Sequence, residues 1–237
     1  MATPPLIEAA DVAIDGNSTA TSSWSVPHNA YASGDLVVFF LSNDASTTHT
    51  RPTLGPNSEV ITDLTVNFNT GTNGPTISAW RFIGTGTVGA STVTVTSSTD
   101  DQWAGGSFVV PAGEFDPANP IEAFNTDGRN ANGTTATSPA LTGITADGTV
   151  LAWVAIDTDP FLTNPSAWTQ IGTFDAGQVA ARISTRDAAT TTSETIAAAT
   201  WTMASDSFSS LGFVVNAVPD VGGGAGYSNS LGLMGVG

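Results

Sequence analysis

The alternation of polar and apolar residues with a period of two is the feature that most constrains this chain. Residues 91–96 read Ser-Thr-Val-Thr-Val-Thr, which places Val93 and Val95 on one face of a strand. Residues 35–42 are nearly all apolar, a pattern typical of a strand covered on both faces. Clusters of Gly, Pro, Asn and Asp separate such runs, and we find no convincing amphipathic helix. The sequence therefore predicts an all-β sandwich or barrel of many short strands.

An internal duplication organises these strands. Four blocks recur in the same order: residues 34–44 and 147–157, residues 77–82 and 179–183, residues 93–95 and 194–196, and residues 105–110 and 211–215. Two sandwiches, or two halves that share one core, would both fit this repetition. The connection between the repeats is short and contains no flexible linker, which favours one structural unit. We therefore expect an N-terminal segment, two β-sandwich halves and a C-terminal arm, at residues 1–9, 10–120, 121–219 and 220–237.

The charge balance excludes several classes of partner. The chain has 21 acidic residues against five basic ones, all Arg, and a formal net charge of −16. Such a surface repels phosphate backbones and anionic membranes, so we expect neither as a partner. There is no Cys, no basic and apolar leader at the N-terminus, and no apolar run long enough to cross a membrane. We therefore expect a protein made in the cytoplasm without a disulfide framework.

Side chains suited to catalysis are few. The absence of Lys excludes a Walker loop and a Schiff base. Residues 84–89 match G-x-G-x-x-G, but a Thr/Val strand follows instead of a helix, so the match indicates a hairpin turn. His28 and His49 lack a second His at metal spacing, and we expect surface or loop roles for both. We predict no enzyme activity, no catalytic residue, no cofactor and no metal site.

Paired carboxylates are the one enzymatic option that the composition leaves open. A glycosidase needs two carboxyl groups across a cleft, and three pairs are candidates: Glu59 with Asp63, Glu114 with Asp116, and Asp157 with Asp159. Calcium is a second chemical option, because residues 157–159 offer alternating oxygen ligands, although no complete loop motif follows them. Acids beside Pro at strand ends commonly cap turns, and we favour that interpretation.

Two further groups of residues are candidates for contacts with other molecules. Most of the six Trp residues fall in apolar strands, whereas Trp24 and Trp201 lie in polar Ser/Thr settings and are the candidate glycan contacts. The Gly-rich residues 221–237 would be disordered or would form an arm ordered against a neighbour. Such an arm would use its large apolar side chains, which are Tyr227, Leu231, Leu233, Met234 and Val236.

Four local motifs stand out in the second half of the chain: Pro120-Ile121-Glu122-Ala123, Thr137-Ser138-Pro139, Ala146-Asp147-Gly148 and Pro165-Ser166-Ala167-Trp168-Thr169. With these motifs, residues 15–218 resemble a structural module found in tailed bacteriophages and on bacterial surfaces. The resemblance implies a jelly-roll sandwich used in fibres, spikes and decoration proteins, and it carries over no catalytic residue. Its motifs are structural, so they are more specific for the fold than for the role.

These observations favour a capsid decoration, or cement, protein on the phage head. Its partners would be the major capsid protein and copies of itself, and its location the virion. We expect the attachment residues to be Pro4, Pro5, Leu6 and Ile7, together with the apolar residues of the arm. The alternative is a tail-fibre or head-fibre module that binds host glycans, and a glycosidase is a third reading.

Overall fold

The computed structural model describes residues 3–44, 47–71, 74–157, 161–176 and 178–220. A single 3-10 turn, Ala9–Asp11, precedes the first strand. The strands of the first half are β1 (Val12–His28), β2 (Leu36–Asn43), β3 (His49–Thr50), β4 (Thr62–Phe68), β5 (Thr76–Ile83) and β6 (Ser91–Val110). Those of the second half are β7 (Ile121–Thr137), β8 (Gly148–Ile156), β9 (Phe161–Thr163), β10 (Trp168–Ala176), β11 (Val179–Arg186) and β12 (Thr200–Asn216).

Each half contributes one antiparallel sheet, and the prediction of an all-β fold is confirmed. Sheet 1 has the order β1-β6-β2-β5-β4, with β3 paired to β6. Sheet 2 has the order β7-β12-β8-β11-β10, with β9 paired to β12. When the strands are counted from the start of each half, the two orders are the same. This shared order supports the predicted duplication, which stays a prediction, as does the jelly-roll assignment.

The two sheets pack face to face around one hydrophobic core. Alternate residues of the central strands point into it, among them Phe40 of β2 and Trp153 of β8, whose ring centroids lie 4.6 Å apart. Phe108 and Phe213 occupy corresponding places in β6 and β12, and their rings stack across the core at 6.1 Å. The halves therefore share a core, because neither sheet buries this face without the other.

The outer face of each sheet is covered by the ends of its own long strands. In sheet 1, β1 and β6 change register between Asn17 and Ser23. Beyond these shifts, Trp24 and Val26 pair with Val95 and Val93, and all four pack on the outer side chains of β2. This second layer explains why residues 35–42 are apolar on both faces.

The expectation that Trp24 and Trp201 are exposed is wrong. Both side chains are fully buried, Trp24 on the folded-over end of β1 and Trp201 near the start of β12, each packed on the outer face of its own sheet. Their polar sequence neighbours point to the other side of the same strands, because successive side chains alternate between faces. A polar setting in the sequence therefore indicates a half-buried strand here, not an exposed aromatic residue.

The expectation of a hairpin at residues 84–89 is also wrong. This segment connects β5 to β6, but those two strands flank β2 instead of pairing with each other. Two contacts hold the segment to the loop that precedes β2. Gly84 N–H donates to Asp35 O at 2.8 Å, and Val88 forms a β-bridge with Tyr31. It is thus a crossover loop.

Candidate functional sites: a terminal face and a buried polar chain

The first described residues form an extended segment anchored to sheet 2. The Thr149 hydroxyl donates a hydrogen bond of 2.5 Å to the Pro5 carbonyl oxygen. Pro5 and Ile7 are buried, and Ile7 belongs to the core shared by the two sheets. The side chain between them, Leu6, points outward and is 72 % exposed. The segment therefore has two apolar anchors and one large apolar residue available for another molecule.

Both ends of the described chain meet beside this segment. A groove of about 560 Å³ is lined by residues 3–6, by Gly113 and Glu114, and by residues 218–220. A second groove of about 530 Å³ lies between residues 4–9 and strands β10 and β11. We call residues 3–6, 113–114 and 218–220 the terminal face. Val218, at its edge, is 37 % exposed.

The predicted attachment residues divide into three groups. Pro5 and Ile7 hold the segment to the body, so they position the contact instead of making it. Pro4 and Leu6 line both grooves. The predicted arm residues lie outside the described part of the chain: Tyr227, Leu231, Leu233, Met234 and Val236.

A second site is a buried chain of hydrogen bonds in the first half. Ser78 Oγ lies 3.1 Å from His49 Nδ1, and His49 Nε2 lies 2.7 Å from Asn43 Oδ1. Asn43 Nδ2 then donates to Asp101 Oδ2 at 2.5 Å. The backbone N–H of Asn67 donates to Ser78 Oγ at 2.9 Å. Five different parts of the sequence, from β2 to β6, meet in this chain.

The Asn43 amide sets the direction of the hydrogen bonds that lead to Ser78. Its nitrogen donates to Asp101 Oδ2, and its oxygen therefore faces His49 and accepts from Nε2. The proton of the neutral imidazole then lies on Nε2, and Nδ1 carries a lone pair. Because Nδ1 has no proton to give, Ser78 Oγ donates to that lone pair, and it also accepts from Asn67 N–H.

A pocket of about 230 Å³ opens above the Ser78 and His49 end of this chain. Trp80 and Val66 form part of its wall, and an ion pair between Arg51 and Asp63 lines it as well. The pair is bidentate, with Nε to Oδ1 at 2.5 Å and Nη2 to Oδ2 at 2.8 Å. The pocket thus combines an apolar wall with a buried hydroxyl and imidazole.

The expectation of surface or loop roles for His28 and His49 is wrong. Both are buried, and His49 lies in strand β3 with its ring edge against Trp24 at 5.1 Å. Burial lowers the pKa of His49 to about 3, because the imidazolium would lose its hydration there. The imidazole is therefore neutral near pH 7. A polar run around a lone His gave no signal of this environment, because its partners are distant in sequence.

The acidic residues at one end of the sandwich form a third feature. Asp44 follows β2, and Asp157 follows β8, the strand in the corresponding place in sheet 2. The pKa of Asp44 is raised to about 8. Burial is the largest cause, and a hydrogen bond between Asp44 and Asp157 is the second. Burial also raises the pKa of Asp157, and the charges of Asp101 and Asp206 act in the same direction. Four carboxyl groups from both halves therefore influence one another here.

The candidate carboxylate pairs are held by local contacts. Glu59 is buried and accepts hydrogen bonds from the Tyr31 hydroxyl at 3.0 Å and from Asn57 N–H at 2.7 Å. Asp63 is engaged by Arg51, and Asp116 accepts from Ala118 N–H. The last pair, Asp157 with Asp159, and the calcium candidate at residues 157–159 lie partly outside the described residues. Among the described residues, no group of three or more His, Asp or Glu side chains is arranged to hold a metal ion.

No protein-family model, curated protein or solved structure shows a significant match to the chain. Across the described ranges, none of the helical structure has the length and apolar character that a membrane crossing requires. Any proposal for function must therefore come from the terminal face, the polar chain and the charge of the body.

Proposed function

We propose that this chain is a virion structural protein of a tailed phage that decorates the capsid head. It binds the major capsid protein and copies of itself through the terminal face, and the sandwich serves as a rigid spacer. The observation that carries the proposal is the N-terminal segment. In it, buried Pro5 and Ile7 hold an exposed Leu6 at the groove that is also lined by residues 218–220.

The physical basis of attachment would be a small apolar contact repeated many times. Leu6 and Val218 are exposed on the terminal face, and the Gly-rich residues that follow it carry no charged side chain. A protein with a net charge of −16 repels its own copies, so the apolar residues of the terminal face, Leu6 and Val218, are the favourable place for contact. On a symmetric shell, weak contacts of this kind add up through multivalency.

The rival reading as a glycan-binding fibre module loses its original motive, because Trp24 and Trp201 are both buried. Of the large apolar side chains exposed in the described residues, Phe124 is the one aromatic, at 52 %. A single exposed ring falls short of an aromatic platform for sugars. A glycan array with purified protein tests this rival, and selective binding would favour it over decoration.

A binding assay with two matched substitutions tests the decoration proposal. Purified Leu6→Asp and Val60→Asp variants would be added to phage heads that lack the protein, and occupancy measured by co-sedimentation. Val60 is 79 % exposed but lies in the β3–β4 connection, away from the terminal face, so it is the control. We expect Leu6→Asp to lower occupancy about tenfold, since charge at an apolar contact costs roughly 1–3 kcal/mol.

Removal of residues 221–237 tests the predicted arm in the same assay. Lower occupancy, with an unchanged melting temperature, would support the arm as an attachment segment. Equal occupancy for wild type, Leu6→Asp and the shortened chain would contradict the proposal that the terminal face binds the head.

A further inference from the structure

The geometry points to a second, independent function: Ser78 is a nucleophilic serine, activated by His49, that accepts acyl groups from small activated esters in the pocket above it. The inference does not depend on the decoration proposal. It begins with the arrangement of Ser78, His49, Asn43 and Asp101, in which a hydroxyl donates to the lone pair of an imidazole held by an amide and a carboxylate. That order of groups is the one that nucleophilic catalysis requires.

The second half of the molecule shows that the fold does not need this polar chain. Val38 lies opposite Phe108 in sheet 1, and Leu151 lies opposite Phe213 in sheet 2, so these two positions correspond. Five residues later, the place of Asn43 is taken by Ile156. By the same register, Leu41 of sheet 1 corresponds to Val154 of sheet 2. Ser78 pairs with Leu41 and Arg182 pairs with Val154, so Arg182 occupies the place of Ser78.

The comparison makes the polar chain an exception that calls for a role. At the corresponding place in sheet 2, Ile156 packs with Phe161 and Met203 in an apolar cluster. Burying Asn43 and His49 instead requires every polar atom to find a partner, because an unpaired buried group costs about 1–3 kcal/mol. Departures of this kind from local folding rules are concentrated at functional sites.

The reaction would proceed by acyl transfer. Ser78 Oγ attacks the carbonyl carbon of the ester, and its proton passes to His49 Nδ1. The bond between that carbon and the leaving oxygen breaks, the imidazolium returns its proton to the leaving oxygen, and the acyl group remains on Ser78. Asn67 N–H donates to Ser78 Oγ at 2.9 Å and so helps to orient the hydroxyl whose proton faces His49 Nδ1.

The chemistry of His49 and the size of the pocket define the substrate class. A buried imidazole of low basicity assists a serine weakly, so the ester needs a good leaving group such as a phenolate. The pocket volume of about 230 Å³ restricts the acyl group to a short chain. Aryl acetates satisfy both conditions, and 4-nitrophenyl acetate is therefore the probe.

Acetylation of the full-length protein by 4-nitrophenyl acetate tests the inference. Peptide mapping by mass spectrometry should place one acetyl group on the peptide that contains Ser78. Ser78→Ala should lose this label, whereas Ser210→Ala should keep it, because Ser210 is a buried serine of β12 that lies outside the polar chain. His49→Gln keeps a donor for Asn43 but replaces the basic imidazole nitrogen with a non-basic amide oxygen, and should slow labelling about 100-fold.

The pH profile separates activation by buried His49 from activation by an imidazole of ordinary pKa. Because the pKa of His49 lies near 3, labelling should stay constant from pH 8 to pH 5 after correction for spontaneous hydrolysis. An ordinary imidazole would lose activity below its usual pKa of about 6.5. Acetylation elsewhere, no acetylation, or an equal rate in His49→Gln would each overturn the inference, and the wild-type map gives this answer even if a variant fails to fold.

Discussion

The two halves of this molecule share a strand order but cover their outer faces differently. In the first half, the folded-over ends of β1 and β6 enclose aromatic residues together with a buried chain of Asn, His, Ser and Asp. In the second half, the ends of β7 and β12 enclose a cluster of apolar residues, with Arg182 bound to Asn164 and the Phe161 carbonyl. One scaffold therefore accommodates two solutions to the same packing problem.

The difference separates what the fold requires from what it tolerates. Shared features, such as the stacked Phe108 and Phe213 and the buried Trp24 and Trp201, are the structural minimum of a half. Features present on one side alone, such as the polar chain, are candidates for function. The terminal face belongs to neither class, because it is built from segments outside both sheets.

The largest expected effect tests whether the two outer faces are equivalent. Trp24→Ala and Trp201→Ala each remove a fully buried ring, and we expect each to lower the free energy of unfolding by about 3–5 kcal/mol. Urea denaturation followed by circular dichroism measures both. Because the halves share a core, each variant should still unfold in one transition.

Phe124→Ala is the control for these two variants, since its ring is half exposed and should cost far less. A small loss for Trp201→Ala beside a large loss for Trp24→Ala would break the equivalence of the halves. Two separate transitions would show that the sheets unfold independently, against the shared core.

The sequence predicted the features that depend on local pattern and missed those that depend on long-range contacts. Alternation predicted the strands, and this prediction of an all-β fold is confirmed, because it follows from the order of residues along the chain. The duplication into two β-sandwich halves stays a prediction. The burial of Trp24 and His49 could not be read in the same way. It depends on β1 folding over β2, and the register shifts that allow this lie in a polar run, residues 17–23, whose long-range packing the local sequence does not specify.

The polar chain escaped prediction for a related reason. Its members lie on β2, β3, β5 and β6, and each looks ordinary in its own segment. The resemblance to phage modules concerned structural motifs alone, so it carried no information about such a site. The attachment role of residues 4–7 stays a prediction, and their division into buried Pro5 and Ile7 and exposed Leu6 needed the structure.

An effect of intermediate size on stability is expected at Asp44 and Asp157, the acidic residues that lie together at one end of the two halves. A carboxyl that stays protonated up to pH about 8 when folded, but loses its proton near pH 3.8 when unfolded, stabilises the fold below pH 4. That stability is lost as the pH rises to about 8. Asp44→Asn removes the titrating group and should therefore be more stable than wild type at pH 8, with the difference shrinking toward pH 4.

The expected gain at pH 8 is about 1–2 kcal/mol, since partial exposure of the pair to water screens the charges. A gain of this size raises the melting temperature by about 2–4 °C for each kcal/mol. Asp100→Asn, at an exposed position next to Asp101, is the matched control for the removal of one carboxyl group. If the difference in stability between Asp44→Asn and wild type is the same at pH 4 and pH 8, Asp44 and Asp157 do not share a proton.

The smallest effect compares one ion pair in each half. Arg51 binds Asp63 in the first half, and Arg186 binds Glu194 at 2.7 Å in the second. Partly exposed pairs contribute at most about 1 kcal/mol, so Asp63→Asn and Glu194→Gln should each be mild in urea denaturation. Glu194 should matter more, because its side chain is 25 % exposed against 39 % for Asp63, and it also accepts from Thr191 N–H. If Asp63→Asn lowers the free energy of unfolding more than Glu194→Gln does, the ion pair that lines the pocket also stabilises the buried polar chain. The two halves would then differ in stability at the place where one of them contains the polar chain.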